Sequence, residues 1–306
     1  MMATNVARLE VSQEEKRAGQ SLTALAMRRL KRDRLTLIAL AMISFLLAFS
    51  FLGAPILSQS LGVSPTRTQT DKTFLLPFTA ENFPHVLGTD DLGRDHLSRL
   101  LYAGQVSLSV GALAALLSLS IGVTVGIITG YYGGIVDDVV NWIIATLNSI
   151  PSLFLLLIVA AVLRPSPQTL IIILGFLGWT GTTRLVRGET LSLREREYIV
   201  SARAVGASPL RIMFSHILPN LFSIIIISLA LDIGGIILVE AALSFLGLGI
   251  LPPTPSWGNM LSNSQTFFTK GPYLVVAPGL MIFLTVLCMY IVGDGLRDAF
   301  DPTAKD

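Results

Sequence analysis

Apolar and polar residues occur along this chain in long blocks, with six extended apolar runs separated by shorter polar stretches. An α-helix needs roughly 20 consecutive apolar residues to cross the hydrocarbon core of a membrane. The runs therefore predict six transmembrane helices, at residues 35–57, 106–131, 139–163, 168–183, 221–246 and 271–293. Pro151 lies inside the third run and predicts a bend there, because proline removes a backbone hydrogen-bond donor.

The composition is that of a membrane protein rather than a soluble domain. Of the 306 residues, 52% are hydrophobic and 14% are charged, whereas about 25% of a typical soluble domain is charged. The mean hydropathy is +0.68. We therefore predict an all-α polytopic membrane protein. Its single cysteine, Cys288, lies in an apolar run, which favours packing over chemistry.

The distribution of lysine and arginine predicts the orientation of the chain. Six spans place both ends on one side of the membrane. If the N-terminus is cytosolic, 16 of the 22 basic residues fall in the inside segments. Because cytosolic loops carry an excess of basic residues, this bias predicts an N-in/C-in protein. The loop at 189–219 is then cytosolic, and the polar segment at 58–105 is extracytoplasmic.

Residues 1–34 are polar and basic, and we interpret them as a retained cytosolic segment rather than a signal peptide. Four residues share a helical face beside the basic side chains: Leu22, Leu25, Ala26 and Leu30. This pattern favours a short helix on the inner membrane surface. A nucleic-acid-binding tail is the weaker alternative. Residues 35–57 form the first transmembrane helix, and 106–302 form the transmembrane core.

The segment at 197–219 is a charged, short-helix stretch between long apolar runs. Ser192 and Glu195 have capping-box spacing, which predicts a helix start there. Gly206 predicts its end, because glycine tolerates positive φ. Ser208 and Pro209 then predict a helix restart. Two interpretations are open: a basic loop that only sets topology, or a helix on which a cytosolic partner docks.

Residues 87–101 predict a short amphipathic helix on the outer side, capped by Thr89 or Asp90. Its pattern predicts which side chains are exposed (Arg94, Asp95 and Arg99) and which are packed (Leu97, Leu100 and Leu101). Residues 240–261 turn through several prolines to Trp257, which is typical of an outer hairpin with an aromatic membrane anchor. Residues 293–302 are charged and predict a solvated helix end.

Two acidic residues lie within the fifth apolar run. Asp232 and Glu240 are about two helical turns apart and so lie near one face. Ionisable residues in a span usually face the bundle interior or a water-filled path, so both are candidates for the lining of a transport pathway. The alternatives are a structural hydrogen bond for Asp232, and an interfacial position or a structural ion pair for Glu240.

Other kinds of functional site are not supported by the sequence. A phosphate-binding P-loop needs a Gly-Lys-Ser/Thr sequence, and none of the five lysines follows a glycine. His85 and His96 lie in the outer segment, whereas His216 is predicted on the opposite side of the membrane. The sequence therefore predicts no metal site, no bound cofactor and no catalytic constellation on this chain.

The segment at 197–219 resembles the EAA loop of ABC importer permeases, which has the pattern Glu-Ala-Ala, three residues, Gly, nine residues, Ile-x-Leu-Pro. Four positions match (Ala202, Gly206, Leu218 and Pro219), and three depart (Val200, Ser201 and His216). The stretches GTDDLGRDHLSRLLYAG, LSFLGLGILPPTPSWG and GDGLRDAFDP resemble signatures of the dipeptide/oligopeptide/nickel branch, specifically its C-type permease subunit. The resemblance covers roughly residues 20–302.

The resemblance implies a type I ABC importer permease fold in the cell inner membrane. It implies a heterodimer with a homologous B-type permease, two cytosolic ABC ATPases that carry ATP and Mg²⁺, and an extracytoplasmic substrate-binding protein; nucleic acid is not an expected partner. The residues expected to dock the ATPase are Glu197, Ala202, Arg203, Gly206 and Ala207. An ion-coupled secondary transporter that uses Asp232 and Glu240 is the alternative, and a structural membrane scaffold is a third hypothesis.

Overall fold

A computed structural model describes residues 22–163 and 166–301, and the predictions for residues 1–21, 164–165 and 302–306 lie outside this part of the chain. The described residues are mostly helical. The helices are α1 (Leu22–Leu30), α2 (Arg34–Ala48), α3 (Ala54–Leu61), α4 (His96–Tyr132), α5 (Gly134–Ser149), α6 (Ser152–Val162), α7 (Pro167–Arg194), α8 (Glu197–Ala204), α9 (Pro209–Ile212), α10 (Phe222–Phe245), α11 (Trp257–Met260), α12 (Ser264–Lys270) and α13 (Tyr273–Phe300).

Within residues 22–163 and 166–301, five continuous helical segments are long and apolar enough to cross a membrane. Short π-helical or 3₁₀ turns join α2 to α3 and α9 to α10 into continuous helical segments. The five segments are Arg34–Leu61, His96–Tyr132, Pro167–Arg194, Pro209–Phe245 and Tyr273–Phe300. The predicted run at 139–163 is instead divided into α5 and α6. Ile150 and Pro151 have extended ψ angles of 126° and 124°. Ile150 directly precedes the proline, and the helical conformation is disfavoured at that position.

The two helices α4 and α7 pack closely along a row of glycines. A Cβ atom added at Gly122, Gly126 or Gly130 would lie within 2.6–2.8 Å of a Cβ atom on α7. The facing residues on α7 are Thr182, Val186 and Thr190. Small residues let helix backbones approach closely in a membrane, where packing rather than hydrophobicity holds helices together. This contact extends α7 to Arg194, well beyond the end predicted near Arg184.

The remaining long helices form a second packed group. Side chains from α2, α10 and α13 share one buried cluster: Ala39, Ile43, Ala230, Cys288 and Val292. Helix α1 is present as predicted, and Ala26 is buried. Its Arg29 donates a hydrogen bond of 2.6 Å to the carbonyl oxygen of Asp301. The helix therefore lies beside the end of α13; its position on a membrane surface stays a prediction.

The prediction of a separate short helix at 87–101 is wrong. Asp95 caps α4, accepting a hydrogen bond from the Ser98 amide at 2.7 Å, so the helix starts at His96 and continues to Tyr132. Asp95 and Arg99 are buried, not exposed. Thr89 and Asp90 are also buried and belong to the preceding loop, where Asp90 accepts bonds from the Arg94 and Leu92 amides.

The interpretation of Trp257 as a membrane anchor is also wrong. Its side chain is 1% exposed, and its indole Nε1 donates to the carbonyl oxygen of Leu100 at 3.0 Å. It packs with Ala103 and Ile237 in a cluster shared by α4 and α10. The proline-containing loop after α10 thus folds back onto the bundle and connects the start of α4 to the end of α10.

Candidate functional site

The segment after α7 has the helix–turn–helix form that the sequence predicts, with one correction. The capping-box prediction at Ser192 and Glu195 is wrong, because Ser192 lies in the last turn of α7 and Glu195 directly follows its end. Helix α8 begins at Glu197. Gly206 follows α8 with a φ of +86°, and the Ser208 hydroxyl accepts a bond from the Arg211 amide at the start of α9.

An apolar base holds this segment against the α4–α7 pair. Ile199 of α8 is fully buried, and so are Ile212 and Ile217 of the following turn. They contact Ile127 of α4 and Val186 of α7 in one cluster. Fully burying an aliphatic side chain stabilises its position by about 1.5–3 kcal/mol, so the short α8 is fixed by packing rather than by helix propensity.

Polar contacts tie the same segment to the end of α4. Arg194, the last residue of α7, donates from Nη1 to the carbonyl oxygens of Gly130 and Tyr131 at 3.1 and 3.4 Å. These carbonyls lie in the last turn of α4, where no helical donor follows. The Arg203 guanidinium of α8 lies 5.6 Å from the centre of the Tyr131 ring, a distance typical of a cation–π contact. Movement of α8 therefore involves α4 and α7.

The predicted docking residues divide into an exposed and a packed set. Glu197, Arg203 and Gly206 are exposed, whereas Ala202 and Ala207 are half-buried. The Ala207 amide donates to the carbonyl oxygen of Ala202 at 3.0 Å, which closes the turn around Gly206. The packed pair thus supports the turn, and the exposed three are available to another protein. Their role in docking stays a prediction.

The sequence analysis did not identify the apolar part of this surface. Val205, Leu210 and Phe214 are 85%, 63% and 67% exposed. Leu210 and Phe214 are one helical turn apart, so they share a face that points away from the buried Ile212. Their spacing was the available signal. Large apolar side chains grouped on a protein surface often mark an interaction site.

An ion pair beside this segment was also not predicted. The guanidinium of Arg187 on α7 donates two short hydrogen bonds to both carboxylate oxygens of Asp137 on α5. Hydrogen bonding from Arg187 holds the pKa of the Asp137 carboxyl below its usual range. Asn141 donates to the same carboxylate at 2.7 Å. This bidentate pair connects the start of α5 to the α4–α7 pair.

The two acidic pathway candidates lie in different environments. Asp232 is half-buried, and one of its carboxylate oxygens accepts a hydrogen bond of 3.3 Å from the Thr182 hydroxyl. Glu240 is 0% exposed and accepts hydrogen bonds from the Ser107 hydroxyl at 2.9 Å and the Ser244 hydroxyl at 2.7 Å. Glu240 is therefore enclosed by protein, and its distance from the membrane interface stays a prediction. The structure does not bring the two carboxylates together.

Glu240 organises the loop that carries Trp257. The Ser107 hydroxyl, which donates to Glu240, accepts a bond from the Trp257 amide at 3.2 Å. The Ser244 hydroxyl likewise donates to Glu240 and accepts from the Ile250 amide at 2.9 Å. Each serine thus connects the carboxylate to one end of the loop. This arrangement favours a structural role for Glu240; a role in the transport pathway stays a prediction.

The histidines in the described part of the chain are not grouped with other metal-binding side chains. His85 Nδ1 lies 2.9 Å from a carboxylate oxygen of Asp95. Burial raises the pKa of the Asp95 carboxyl above its usual range, although the bonds from Ser98 and His85 act in the opposite direction. Within residues 22–163 and 166–301, no group of three or more His, Cys, Asp or Glu side chains is placed to hold a metal ion.

Comparison with known proteins gives two family matches. Residues 122–306 match the family described as the binding-protein-dependent transport system inner membrane component. Residues 21–77 match the N-terminal transmembrane domain of oligopeptide transport permease C. The two matches cover different parts of the chain, and both describe membrane components of transport systems.

Individual relatives resemble the chain over most of its length. The dipeptide transport system permease protein of Alkalihalophilus pseudofirmus is 41% identical over 281 residues, which is 92% of this chain and 90% of the relative. That of Haemophilus influenzae is 38% identical, with 90% and 92% covered. The oligopeptide transport system permease protein of Mycobacterium tuberculosis is 37% identical, with 93% and 96% covered.

Proposed function

Because the chain belongs to the family of binding-protein-dependent transport system inner membrane components, we propose that it is a permease subunit of an ATP-driven importer of dipeptides or oligopeptides. The relatives carry these substrates in their names. The chain is a multi-pass protein of the inner membrane and a non-catalytic subunit. The relatives favour this function over an ion-coupled transporter.

The transmembrane arrangement follows from this function. The five long helical segments, together with the divided pair α5–α6, make six crossings with both ends of the chain in the cytosol. Basic residues clustered around α1 and α8 support this orientation, because such residues are enriched on the cytosolic side. The segment from Glu197 to Pro219 then faces the cytosol, where an ATPase subunit can reach it.

The observation that carries the proposal is the way α8 is mounted. It is a short helix with a buried base at Ile199 and an exposed outer surface. Arg203 of α8 lies over the Tyr131 ring at the end of α4, and Ile199 contacts the apolar cluster shared by α4 and α7. A docking ATPase that moves α8 would therefore move these two long helices as a rigid body, which is how a local contact switches a transport pathway.

The proposed importer contains further subunits besides this chain. A second, homologous B-type permease forms the pathway with this chain, two ATPases dock on the two permeases, and an extracytoplasmic binding protein delivers the peptide. ATP and Mg²⁺ are held on the ATPases. Glu197, Arg203 and Gly206, together with the apolar residues Val205, Leu210 and Phe214, form the docking surface on this chain.

The proposal is tested by isolating the tagged chain from native membranes and identifying what accompanies it by mass spectrometry. A second permease and one or two P-loop ATPases are the expected companions. The purified complex, reconstituted in liposomes, should accumulate peptide only with ATP and the binding protein. Transport by the chain alone under an ion gradient, without ATP, would overturn the proposal.

A further inference from the structure

The break between α5 and α6 leaves irregular backbone exposed. Pro151 has no N–H, so the carbonyl of Leu147 lacks its regular helical donor and instead accepts a long bond of 3.4 Å from the Ile150 amide. Five consecutive residues at 148–152 are exposed. No side chain caps the start of α6. In a water-soluble protein, water would form hydrogen bonds with the exposed backbone groups of such a break.

The break lies near the middle of the membrane. Ser118 is the midpoint of the stretch at 100–136, which contains no charged residue. Gly178 of α7 packs against it, since an added Cβ would lie 2.8 Å from the Ser118 hydroxyl. Asn148, at the break, lies 3.3 Å from the hydroxyl of Thr180. Thr180 is two residues from Gly178, so the break is about 3 Å from this midpoint along the helix axis.

A cationic side chain accompanies the break. With its amide oriented to satisfy both neighbours, Asn148 accepts hydrogen bonds from the two terminal nitrogens of Arg184 at 3.3 and 3.1 Å. Arg184 is exposed and lies four residues from Thr180, or about 6 Å closer to the inner end of α7. A guanidinium has five N–H donors, so Arg184 can bond further groups in addition to Asn148.

These groups cannot face lipid. Irregular backbone at the depth of the hydrocarbon is tolerated only where it is buried in protein or lines a water-filled cavity. An arginine at that depth likewise faces a bundle interior or an aqueous path. A purely apolar partner surface would leave the remaining Arg184 donors without acceptors, whereas water or a polar solute would satisfy them.

We propose that the α5–α6 break lines the water-filled translocation pathway, and that Asn148 and Arg184 contact the passing peptide there. This inference rests on the proposed function. The guanidinium suits the C-terminal carboxylate of a peptide, which it can bind through paired hydrogen bonds. The amide of Asn148 suits peptide N–H and C=O groups. This part of the pathway wall thus comes from a broken helix, neither half of which is among the five segments long and apolar enough to cross a membrane.

Cysteine accessibility tests the inference in the reconstituted complex with partner permease, ATPases and binding protein. Single cysteines replace Ser149, Ile150 or Ser152 in a Cys288→Ala background, and a membrane-impermeant, positively charged methanethiosulfonate is applied with and without ATP and vanadate. Only the thiolate reacts, and an apolar environment raises the thiol pKa. A rise of about two pKa units makes reaction about 100-fold slower at neutral pH.

Two control positions define the scale. Thr68→Cys in the exposed polar segment before α4 gives the rate in water, and Ile158→Cys, at an exposed apolar position of α6 beyond the break, gives the rate at an apolar surface. We expect the break cysteines to react within about tenfold of Thr68→Cys in at least one nucleotide state, and about 100-fold faster than Ile158→Cys. Peptide-loaded binding protein should slow the reaction.

Rates equal to that of Ile158→Cys in both nucleotide states, in a complex that still transports peptide, would overturn the inference. If the wild-type complex carries no ATP-driven uptake at all, the proposed function fails instead. The two failures are thus distinguished by the uptake measurement.

Discussion

The glycine row between α4 and α7 makes a sharp prediction for Gly126→Ala. The new Cβ would lie 2.8 Å from both Cβ and Cγ1 of Val186 and 3.0 Å from the carbonyl oxygen of Thr183. Two of these atoms are a backbone oxygen and a Cβ, which no side-chain rotation can move. Since carbon atoms prefer a separation of about 3.5–4.0 Å, the helices must separate by roughly 1 Å.

The expected cost follows from two opposing contributions. Overpacking in a well-packed core costs about 1–3 kcal/mol, and replacing glycine by alanine in a helix recovers about 1 kcal/mol. The matched control is Gly188→Ala on α7, where an added Cβ has no neighbour within 4 Å. It receives only the second contribution. We therefore expect Gly126→Ala to be less stable than Gly188→Ala by about 1–3 kcal/mol.

Thermal unfolding of the purified chain in detergent measures this difference. Cys288 is 6% exposed, so a dye that fluoresces on reaction with thiols reports its exposure on unfolding. At an unfolding entropy of about 2.1 cal/mol/K per residue, a loss of 1 kcal/mol lowers the midpoint of this chain by about 1.5 °C. Equal midpoints for Gly126→Ala and Gly188→Ala would refute the close packing of α4 on α7.

Four further predictions concern the polar groups and the turn after α8. Asp137→Asn should lower stability at neutral pH by about 1–3 kcal/mol, because it weakens the hydrogen bonds from Arg187. Since the folded pKa of Asp137 is lowered from 3.8, the stability that its carboxylate contributes is complete above pH 3.8. Unfolding scans of variant and wild type should therefore converge only below that pH. Glu240→Gln replaces one hydrogen-bond acceptor by a donor and should lower both thermal stability and uptake. Unchanged stability and uptake would show that the bonds from Ser107 and Ser244 are dispensable. For Asp232→Asn, unchanged transport kinetics would argue against a pathway role for Asp232. Gly206→Asp puts a charged side chain at a φ of +86° and should leave the protein in the membrane with ATP hydrolysis uncoupled from uptake, so normal uptake would contradict the role of this turn.

Local sequence signals located the segment around α8 well. Gly206 predicted the turn and Ser208 predicted the restart of the helix. Both predictions were possible because positive φ and N-capping are properties of individual residues and their immediate neighbours. The error at Ser192 and Glu195 shows the limit of such signals. Their spacing fits a capping box, but packing of Thr190 against Gly130 continues α7 through that position.

Side-chain exposure in the segment at 87–101 could not be obtained from periodicity. Asp95 and Arg99 look like the polar face of an amphipathic helix, yet both are buried. Arg99 lies 3.4 Å from a carboxylate oxygen of Asp90, and Asp95 bonds His85. These partners come from a loop that folds over the start of α4, and no local pattern shows that it does so.

The sequence by itself determined the class of protein, the places of most apolar helices and the turn at Gly206, because hydropathy, chain length and backbone conformation act over a few neighbouring residues. The tertiary structure decided which polar groups are enclosed and which are open. Glu240 and Asp232 share one helix, but only Glu240 meets two serine hydroxyls from α4 and α10. Asn148 and Arg184 are far apart along the chain and become neighbours because side chains of α5 reach α7 at Thr180, Arg184 and Arg187. Such contacts depend on how helices pack in three dimensions, and the order of residues along one helix does not contain them.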